Sequence, residues 1–164
     1  MATNDGKVTI RKVENLKEYS ARDGAHVMVN LDHVVHTMAD SKEWLEELRY
    51  SPDGKILACG SHDNYIYLYH TNESGAYKKY ATSRGHSSYI HCLDWSADSQ
   101  MFRTVCGAYE LLFWSATDGK QITGGASATV STMWADQHCK FGWRVDGIYP
   151  PGTDGTHVNS CSKT

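Results

Sequence analysis

The chain has 164 residues, of which 40% are hydrophobic and 21% are charged, and its formal net charge at pH 7 is −3. This composition suits one folded domain and excludes a disordered tail. The acidic balance argues against nonspecific nucleic-acid binding, and no run of 18 apolar residues occurs. We therefore expect no nucleic-acid partner and no membrane. The first residues lack an apolar leader, so we also expect no secretion.

Residues 1–43 begin with a turn and a short apolar run. The octapeptide TNDGKVTI at 3–10 places an Asp-Gly pair before a β-branched run, which matches the turn and third strand of a β-blade. We therefore predict that 1–43 holds the third and fourth strands of a partial blade and a linker. His33 and His36 resemble a metal-binding pair, but residues i and i+3 of a strand face opposite sides, so we expect surface or linker histidines.

The next part of the chain contains one pattern twice. Residues 50–70, YSPDGKILACGSHDNYIYLYH, are followed 45 residues later by a similar stretch at 95–115, WSADSQMFRTVCGAYELLFWS. Four strands and three turns fit within this length, and a repeat of about 40–45 residues with four strands is typical of a propeller blade. The pattern predicts one blade at 44–84 and a second at 85–125.

One segment of the first blade allows two interpretations. In SKEWLEEL, residues 41–48, Ser41 can cap a helix and the glutamates suit its first turn. We expect a strand instead, because 44–50 aligns residue for residue with the alternating run YIHCLDW at 89–95.

The last predicted unit, 126–164, is the start of a further blade with a long insertion. VSTMW at 130–134 matches the opening of the preceding blades. The chain is therefore predicted to be all-β: a partial β-propeller with about two complete four-stranded blades and two partial blades. Because closed propellers have typically four to eight blades, we expect the remainder of the propeller, in the same or another chain, as a partner.

The second predicted blade resembles a WD repeat. A Gly-His pair ends at His86, and Trp114 follows 28 residues later. The resemblance implies a buried hydrogen-bond relay from His86 through the hydroxyl of Thr104 to Trp114, with an aspartate in the tight turn. Ala108 stands at that aspartate position, whereas the first blade keeps Asp63. These four residues, His86, Thr104, Trp114 and Asp63, are therefore expected to have structural roles.

A narrower resemblance covers about residues 44–160. The strings GSHDNYIYLY, GHSSYIHCLDWS and GIYPPGTDGTHVN are similar to motifs of the echinoderm microtubule-associated protein-like family, with Tyr149 where that family more often has tryptophan. The resemblance implies part of a tandem propeller, from its later portion. It does not imply that these residues alone bind microtubules.

The resemblance also implies a function, a non-enzymatic scaffold for tubulin, microtubules or microtubule-bound proteins in the cytoplasm and cytoskeleton, including a cilium or axoneme. A generic WD-repeat adaptor unrelated to microtubules is the alternative. No G-x-S-x-G motif, Walker loop or catalytic carboxylate pair occurs, so we expect no enzyme activity, cofactor or metal. Aromatic and arginine side chains are typical contact anchors. Four are predicted to contact partners: Trp143, Arg144, Tyr149 and Tyr89.

The five cysteines are widely spaced, and no C-x-x-C motif occurs. A disulfide framework or a zinc knuckle is therefore not expected, and reduced thiols are the simpler interpretation. Cys59 and Cys106 fall within the predicted second strands, where we expect them to pack.

Overall fold

The computed structural model describes residues 2–12, 14–21, 24–30, 32–72 and 75–139. In this part of the chain, eleven strands form four antiparallel sheets, and there is one short helix, so the all-β prediction is confirmed. The elements are β1 (Val8–Arg11), β2 (Glu14–Ala21), β3 (Gly24–Asn30), β4 (Val34–Met38), β5 (Leu45–Tyr50), β6 (Ile56–Ser61), β7 (Tyr65–Thr71), β8 (Tyr77–Arg84), β9 (Ile90–Trp95), β10 (Met101–Cys106), β11 (Leu111–Ser115) and α1 (Gly125–Ala128).

The N-terminal sheet consists of β1 and β4, which pair antiparallel with Val8 opposite Met38. Both of these residues are buried against the first blade. A separate hairpin, β2 with β3, lies between them in the sequence. The repeat pattern predicts only two strands and a linker here, so this hairpin is an addition to it.

The first blade is a four-stranded meander in the order β5-β6-β7-β8. Its first ladder places Tyr50 opposite Leu57. The segment SKEWLEEL does not form a helix, because β5 is extended from Leu45 onward. The hydroxyl of Ser41 instead lies 2.6 Å from that of Ser61, inside the blade.

The second blade has three strands in the order β11-β10-β9. At the place of the predicted fourth strand, Gln121 makes a single bridge to Trp114, and the described residues form no longer strand there. The amide of Ile122 donates to the carbonyl of Phe113 at 2.8 Å, and the ladder goes no further. Gly124, with a φ of 70°, then leaves the extended conformation and is the N-cap residue of α1.

The 45-residue offset is also a spatial repeat. β5 and β9 have the same length and begin 45 residues apart, and so do β6 and β10. The strand registers repeat as well, because Tyr50 pairs with Leu57 and Trp95 pairs with Phe102. The sequence periodicity therefore reflects two successive copies of one strand arrangement.

The turns after β5 and β9 share one hydrogen-bond pattern. The Ser51 hydroxyl donates to Asp53 at 2.6 Å, and the Ser96 hydroxyl donates to Asp98 at 2.6 Å. Each serine oxygen also accepts the first amide of the following strand, at 3.0 Å. Both blades therefore form this turn with a serine and an aspartate two residues later.

Adjacent sheets pack face to face through apolar side chains. The cluster between the two blades contains Ala58, Ile66, Leu68, Ile90, Leu93, Trp95, Phe102, Trp114 and Ala116. The cluster between the first blade and the N-terminal sheet contains Val8, Met38, Leu45, Leu57, Cys59, Tyr67 and Tyr69. The sheets are thus stacked as successive blades, and the chain forms a partial β-propeller.

Residues 126–139 follow the second blade with little regular structure. Trp134 bridges to Ser96, while Val130 and Met133 are 62% and 64% exposed. Within the described ranges, no helix is long and apolar enough to cross a membrane.

Candidate functional site

Buried hydrogen bonds join three of the predicted residues in the second blade. The indole N–H of Trp114 donates to Thr104 Oγ1 at 2.6 Å, and His86 Nε2 lies 2.7 Å from the same oxygen. All three residues are buried, and the His86 side chain has no exposed surface. Because Thr104 lies on β10, Trp114 on β11 and His86 in the loop before β9, this relay ties the loop to two strands.

A fourth residue, Glu110, extends the relay and was not predicted. Its carboxylate lies 3.3 Å from His86 Nδ1 and accepts hydrogen bonds from the amide and hydroxyl of Ser87 at 2.9 and 2.8 Å. The Cys106 thiol also donates to it, at 3.2 Å. The WD pattern places an aspartate at position 108, where this chain has Ala108. Glu110 supplies the carboxylate from two residues further along the chain. The WD pattern specifies only position 108, so it does not indicate a longer acidic side chain at position 110.

The protonation states of His86 and Glu110 determine which group donates in each hydrogen bond of the relay. Burial lowers the pKa of His86, although Glu110 acts in the opposite sense. The amide and hydroxyl of Ser87 lower the pKa of Glu110 to about 2. A neutral imidazole has one N–H and an ionised carboxylate only accepts, so the proton lies on Nδ1 and faces Glu110. Nε2 then accepts from the hydroxyl of Thr104, whose oxygen accepts from Trp114.

The first blade has a different network around Asp63. Its carboxylate accepts hydrogen bonds from the Tyr67 hydroxyl at 2.7 Å, the Tyr65 amide at 3.2 Å and the Ser41 hydroxyl at 3.2 Å. The Asp63 amide in turn donates to the hydroxyl of Ser61 at 3.2 Å. The turn aspartate of this blade is thus bound to neighbouring strands without a histidine.

An exposed aromatic surface crosses the boundary between the two blades. We call it the seam patch, and it consists of Trp44, Glu46, His62, Tyr89 and His91. His62 Nε2 and His91 Nδ1 each lie 2.7 Å from a different oxygen of Glu46. The rings of His62 and Tyr89 stack with centroids 4.5 Å apart, and Trp44 is 53% exposed. Large aromatic faces held over satisfied polar groups are typical of contact surfaces.

Gly107 determines where the Tyr89 ring lies. A Cβ at Gly107 would be 2.3 Å from a ring carbon of Tyr89, so the ring can occupy this place only beside a glycine. The Gly107 amide donates to the Tyr89 carbonyl at 2.9 Å. Tyr89, 37% exposed, therefore lies on an ordered surface. The other predicted contact residues lie outside the described residues: Trp143, Arg144 and Tyr149.

A buried ion pair on the second blade holds the segment that follows it. Arg103 Nε donates to Asp94 at 2.9 Å, and neither side chain is exposed. Asp94 also accepts from the amides of His138 at 2.6 Å and Cys139 at 3.1 Å. The ring of Trp134 lies 4.3 Å from the guanidinium. This pair was not predicted, because no sequence motif relates Asp94 on β9 to Arg103 on β10.

Comparison with known proteins gives a family and several relatives. The family described as "Echinoderm microtubule-associated protein second beta-propeller" matches residues 2–164. The chain is 48% identical over 156 residues to "Ciliary WD repeat-containing protein ctxp80" of Euplotoides octocarinatus, which covers 95% of this chain and 19% of that protein. It is 44% identical over 127 residues to "Echinoderm microtubule-associated protein-like 4" of Xenopus tropicalis, and the aligned residues cover 77% of this chain and 14% of that protein. It is 46% identical over 133 residues to "77 kDa echinoderm microtubule-associated protein" of Lytechinus variegatus, and the aligned residues cover 80% of this chain and 20% of that protein.

These matches agree with the stacked sheets and with the motifs in the second blade. The chain spans a fifth or less of the length of these curated relatives. The family match extends from the N-terminal sheet through both blades and the segment that follows them. The chain belongs to the echinoderm microtubule-associated protein family and corresponds to part of its second β-propeller.

Proposed function

We propose that this chain is part of a non-enzymatic scaffold that associates with tubulin, microtubules or microtubule-bound proteins. The observation that carries this proposal is the family match over residues 2–164, together with relatives named as microtubule-associated proteins. The proposed location is the cytoskeleton. The relative named as a ciliary protein supports a cilium or axoneme.

The seam patch is the surface that we propose for the contact. Its members lie on or beside β5, β6 and β9, so two packed blades hold them in fixed positions. Trp44 and Tyr89 supply exposed aromatic area, which commonly dominates binding energy at interfaces. Both oxygens of Glu46 already have imidazole partners, so covering the patch does not strand an unpaired carboxylate.

The remainder of the propeller is the second proposed partner. Val130 and Met133 expose apolar side chains in the segment that follows the second blade. A further blade, from the same or another chain, would cover them as the first blade covers the second.

Microtubule cosedimentation tests the proposal, using the longest natural chain that carries these residues. The wild-type protein should pellet with microtubules at low salt, and the double variant Trp44→Ala/Tyr89→Ala should bind about tenfold more weakly. The matched control is Tyr50→Ala, because Tyr50 is 46% exposed but lies at the other end of β5. It should bind as the wild type does.

The possible outcomes separate the two parts of the proposal. A wild-type protein that stays in the supernatant at low salt contradicts the microtubule assignment. Affinity purification dominated by ligase or coat components would then favour the generic adaptor. Wild-type binding that the double variant retains contradicts only the seam patch.

A further inference from the structure

The backbone enters the left-handed region at three non-glycine residues in the described part of the chain. Asn64, Ser99 and Tyr109 have φ values of 72°, 61° and 64°. In this region the Cβ atom crowds the backbone, and asparagine tolerates the conformation much better than a bulky residue does. A tyrosine held there therefore lowers the stability of the fold.

The 45-residue offset shows what these turns require. Asn64 and Tyr109 are equivalent residues, and each lies in the turn between the second and third strands of its blade. Asparagine is a common residue in turns because it tolerates a positive φ. Since the first blade forms this turn with asparagine, the backbone of the turn does not require tyrosine in the second blade.

Ser99 has a structural reason for its conformation. It corresponds to Gly54, whose φ is 72° in the turn after β5. Ser99 is buried, and its hydroxyl accepts a hydrogen bond from the amide of Asp53 in the first blade at 3.2 Å. This hydrogen bond between the two blades offsets the strain at Ser99.

Tyr109 differs from Ser99 because it is 61% exposed. Its amide donates to the carbonyl of Cys106 at 3.0 Å, a backbone contact that any residue except proline can make. Most of the surface of Tyr109 thus lies outside the packed blade. Strained residues are concentrated at functional sites, and exposed tyrosines are frequent contact residues.

Tyr109 belongs to the turn that supports the seam patch. Gly107, in the same turn, lies beneath the ring of Tyr89, and its amide donates to the Tyr89 carbonyl at 2.9 Å. The Tyr89 ring in turn stacks on His62 of the first blade. Tyr109 therefore lies at the end of the two blades that carries the seam patch.

The charge beside these aromatic residues is negative. Three glutamates lie within two residues of Trp44 or Tyr109 in the sequence: Glu43, Glu46 and Glu110. Hydrogen bonds from Ser87 lower the pKa of Glu110 to about 2, so its carboxylate is ionised at neutral pH. With the histidines neutral, the glutamates outnumber Lys42, the one cation of segment 42–46. Such a surface attracts cationic side chains and repels acidic peptides.

We propose that Tyr109 is an anchor for the partner that covers the seam patch, and that the partner places an arginine side chain against the tyrosine ring. This inference rests on the proposed function, because it names the chemistry of the partner at the same contact. The occupant is a folded protein surface with a basic side chain, since a guanidinium is attracted both to the glutamates and to the face of an aromatic ring. The turn holds the ring in place before the partner arrives, which lowers the entropy lost on binding.

Urea unfolding and microtubule cosedimentation of the longest natural chain that carries these residues test the role of Tyr109. Tyr109→Asn should raise the urea midpoint by about 0.3–1 M, because asparagine relieves the strain of the turn. The same variant should bind microtubules about tenfold more weakly, because the anchor is lost. A tyrosine with only a structural role would give a lower midpoint instead.

Two further variants test the chemistry of the contact while keeping the strained turn. Tyr109→Phe retains the aromatic face and should bind within about twofold of wild type. Tyr109→Leu retains an apolar side chain without that face and should bind about threefold to tenfold more weakly. Equal binding by these two variants would overturn the arginine contact.

The controls use residues outside the proposed contact. Tyr50→Asn changes an exposed tyrosine at the other end of β5, so it should leave binding unchanged without raising the midpoint. Asn64→Tyr introduces the strain into the equivalent turn of the first blade and should lower the midpoint.

The outcomes separate this inference from the proposed function. Wild-type binding that Tyr109→Asn retains, or a midpoint that this variant lowers, overturns the role of Tyr109 alone. A wild-type protein that stays in the supernatant at low salt contradicts the proposed function and overturns the inference with it.

Discussion

The first three strands of the two blades have the same registers, but the polar networks of the blades differ. At the 45-residue offset, Ser41 and Cys59 of the first blade correspond to His86 and Thr104 of the second. The first blade joins its loop and turn through hydroxyls and Asp63, whereas the second uses an imidazole, a threonine and a glutamate. Both blades nevertheless keep the same registers in the ladder of their first two strands. The same strand registers and apolar packing are thus compatible with two different polar networks.

The aromatic residue in the third strand of each blade supports this conclusion. Tyr69 and Trp114 occupy equivalent positions, and both are buried. The Tyr69 hydroxyl donates to Asp40 at 2.9 Å, and the Trp114 indole donates to Thr104 at 2.6 Å. The buried ring is common to both blades, whereas its hydrogen-bond partner is not.

The largest predicted difference between the blades concerns the ion pair of Asp94 and Arg103. Arg103→Met leaves Asp94 buried and uncompensated, so we expect a loss of about 3–5 kcal/mol in the free energy of unfolding. In the first blade, Arg49 corresponds to Asp94 and forms a partly exposed pair with Glu47. Arg49→Met should cost about 1 kcal/mol or less. Urea unfolding followed by tryptophan fluorescence measures the free energy of unfolding of both variants. Equal losses would contradict the expected difference between the buried and the partly exposed ion pair.

Removing the central hydroxyl of the relay should have the next largest effect. Thr104→Val leaves the Trp114 indole and His86 without their shared partner, so we expect a loss of about 1–3 kcal/mol. The matched control is Thr82→Val, the same change at a partly buried residue of β8, which should stay within about 0.5 kcal/mol of wild type. Urea midpoints compare the two variants. Equal midpoints for these variants would show that the relay does not stabilise the blade.

The network of the first blade should be weaker than the relay. Tyr67→Phe removes one hydrogen bond to Asp63, but the Tyr65 amide and the Ser41 hydroxyl remain. We therefore expect a loss of about 0.5–1.5 kcal/mol, smaller than that of Thr104→Val. Chemical unfolding of the two variants side by side measures the order, and the reverse order would show that the hydroxyl network is the stronger one.

The smallest predicted effects come from the turns that the blades share. The hydroxyls of Ser51 and Ser96 lower the pKa of Asp53 and Asp98 below 3.8. Each ionised carboxylate therefore stabilises the fold above pH 3.8, and this contribution is lost as the pH falls below that value. Because both groups are exposed and screened, Asp53→Asn and Asp98→Asn should each cost less than about 1 kcal/mol at pH 7.

Thermal unfolding at several pH values checks the shared turns. The deficit of each variant should shrink as the pH falls below 3.8, and the two variants should behave alike. A deficit that stays constant at low pH would show that the carboxylate charge does not contribute.

Several features of the fold could be predicted because they repeat. The spacing between turns and the alternation in YIHCLDW indicate both blades. The same register favours a strand over the helix that SKEWLEEL allows, and the structure has the strand. The shortening of the fourth strand of the second blade to a single bridge does not follow from the first blade, because the Gly-Gly pair at 124–125 has no counterpart there. The hairpin of β2 and β3 was missed because the repeat alignment assigns a linker to that region.

The candidate site was predictable only where a family pattern specifies the residue. His86, Thr104 and Trp114 follow from the WD pattern. Glu110 does not, because it reaches the histidine from two residues beyond the expected position. The seam patch requires knowledge of which strands become neighbours across two blades, and a one-dimensional pattern does not contain that information.

The two repeats form blades that pack face to face, and one contact between them reports on this packing. A Cβ on Gly60 of β6 would lie 2.6 Å from the Cγ2 methyl of Ile90 in β9, so the methyl rests on the Gly60 α-carbon across the interface. Nuclear Overhauser spectroscopy on methyl-labelled protein measures this proximity. We expect a strong cross-peak between the Ile90 methyl and the Gly60 α-protons. Its absence, in a sample that shows the cross-peaks of Trp95 with Phe102 within the second blade, would contradict the stacked-blade architecture.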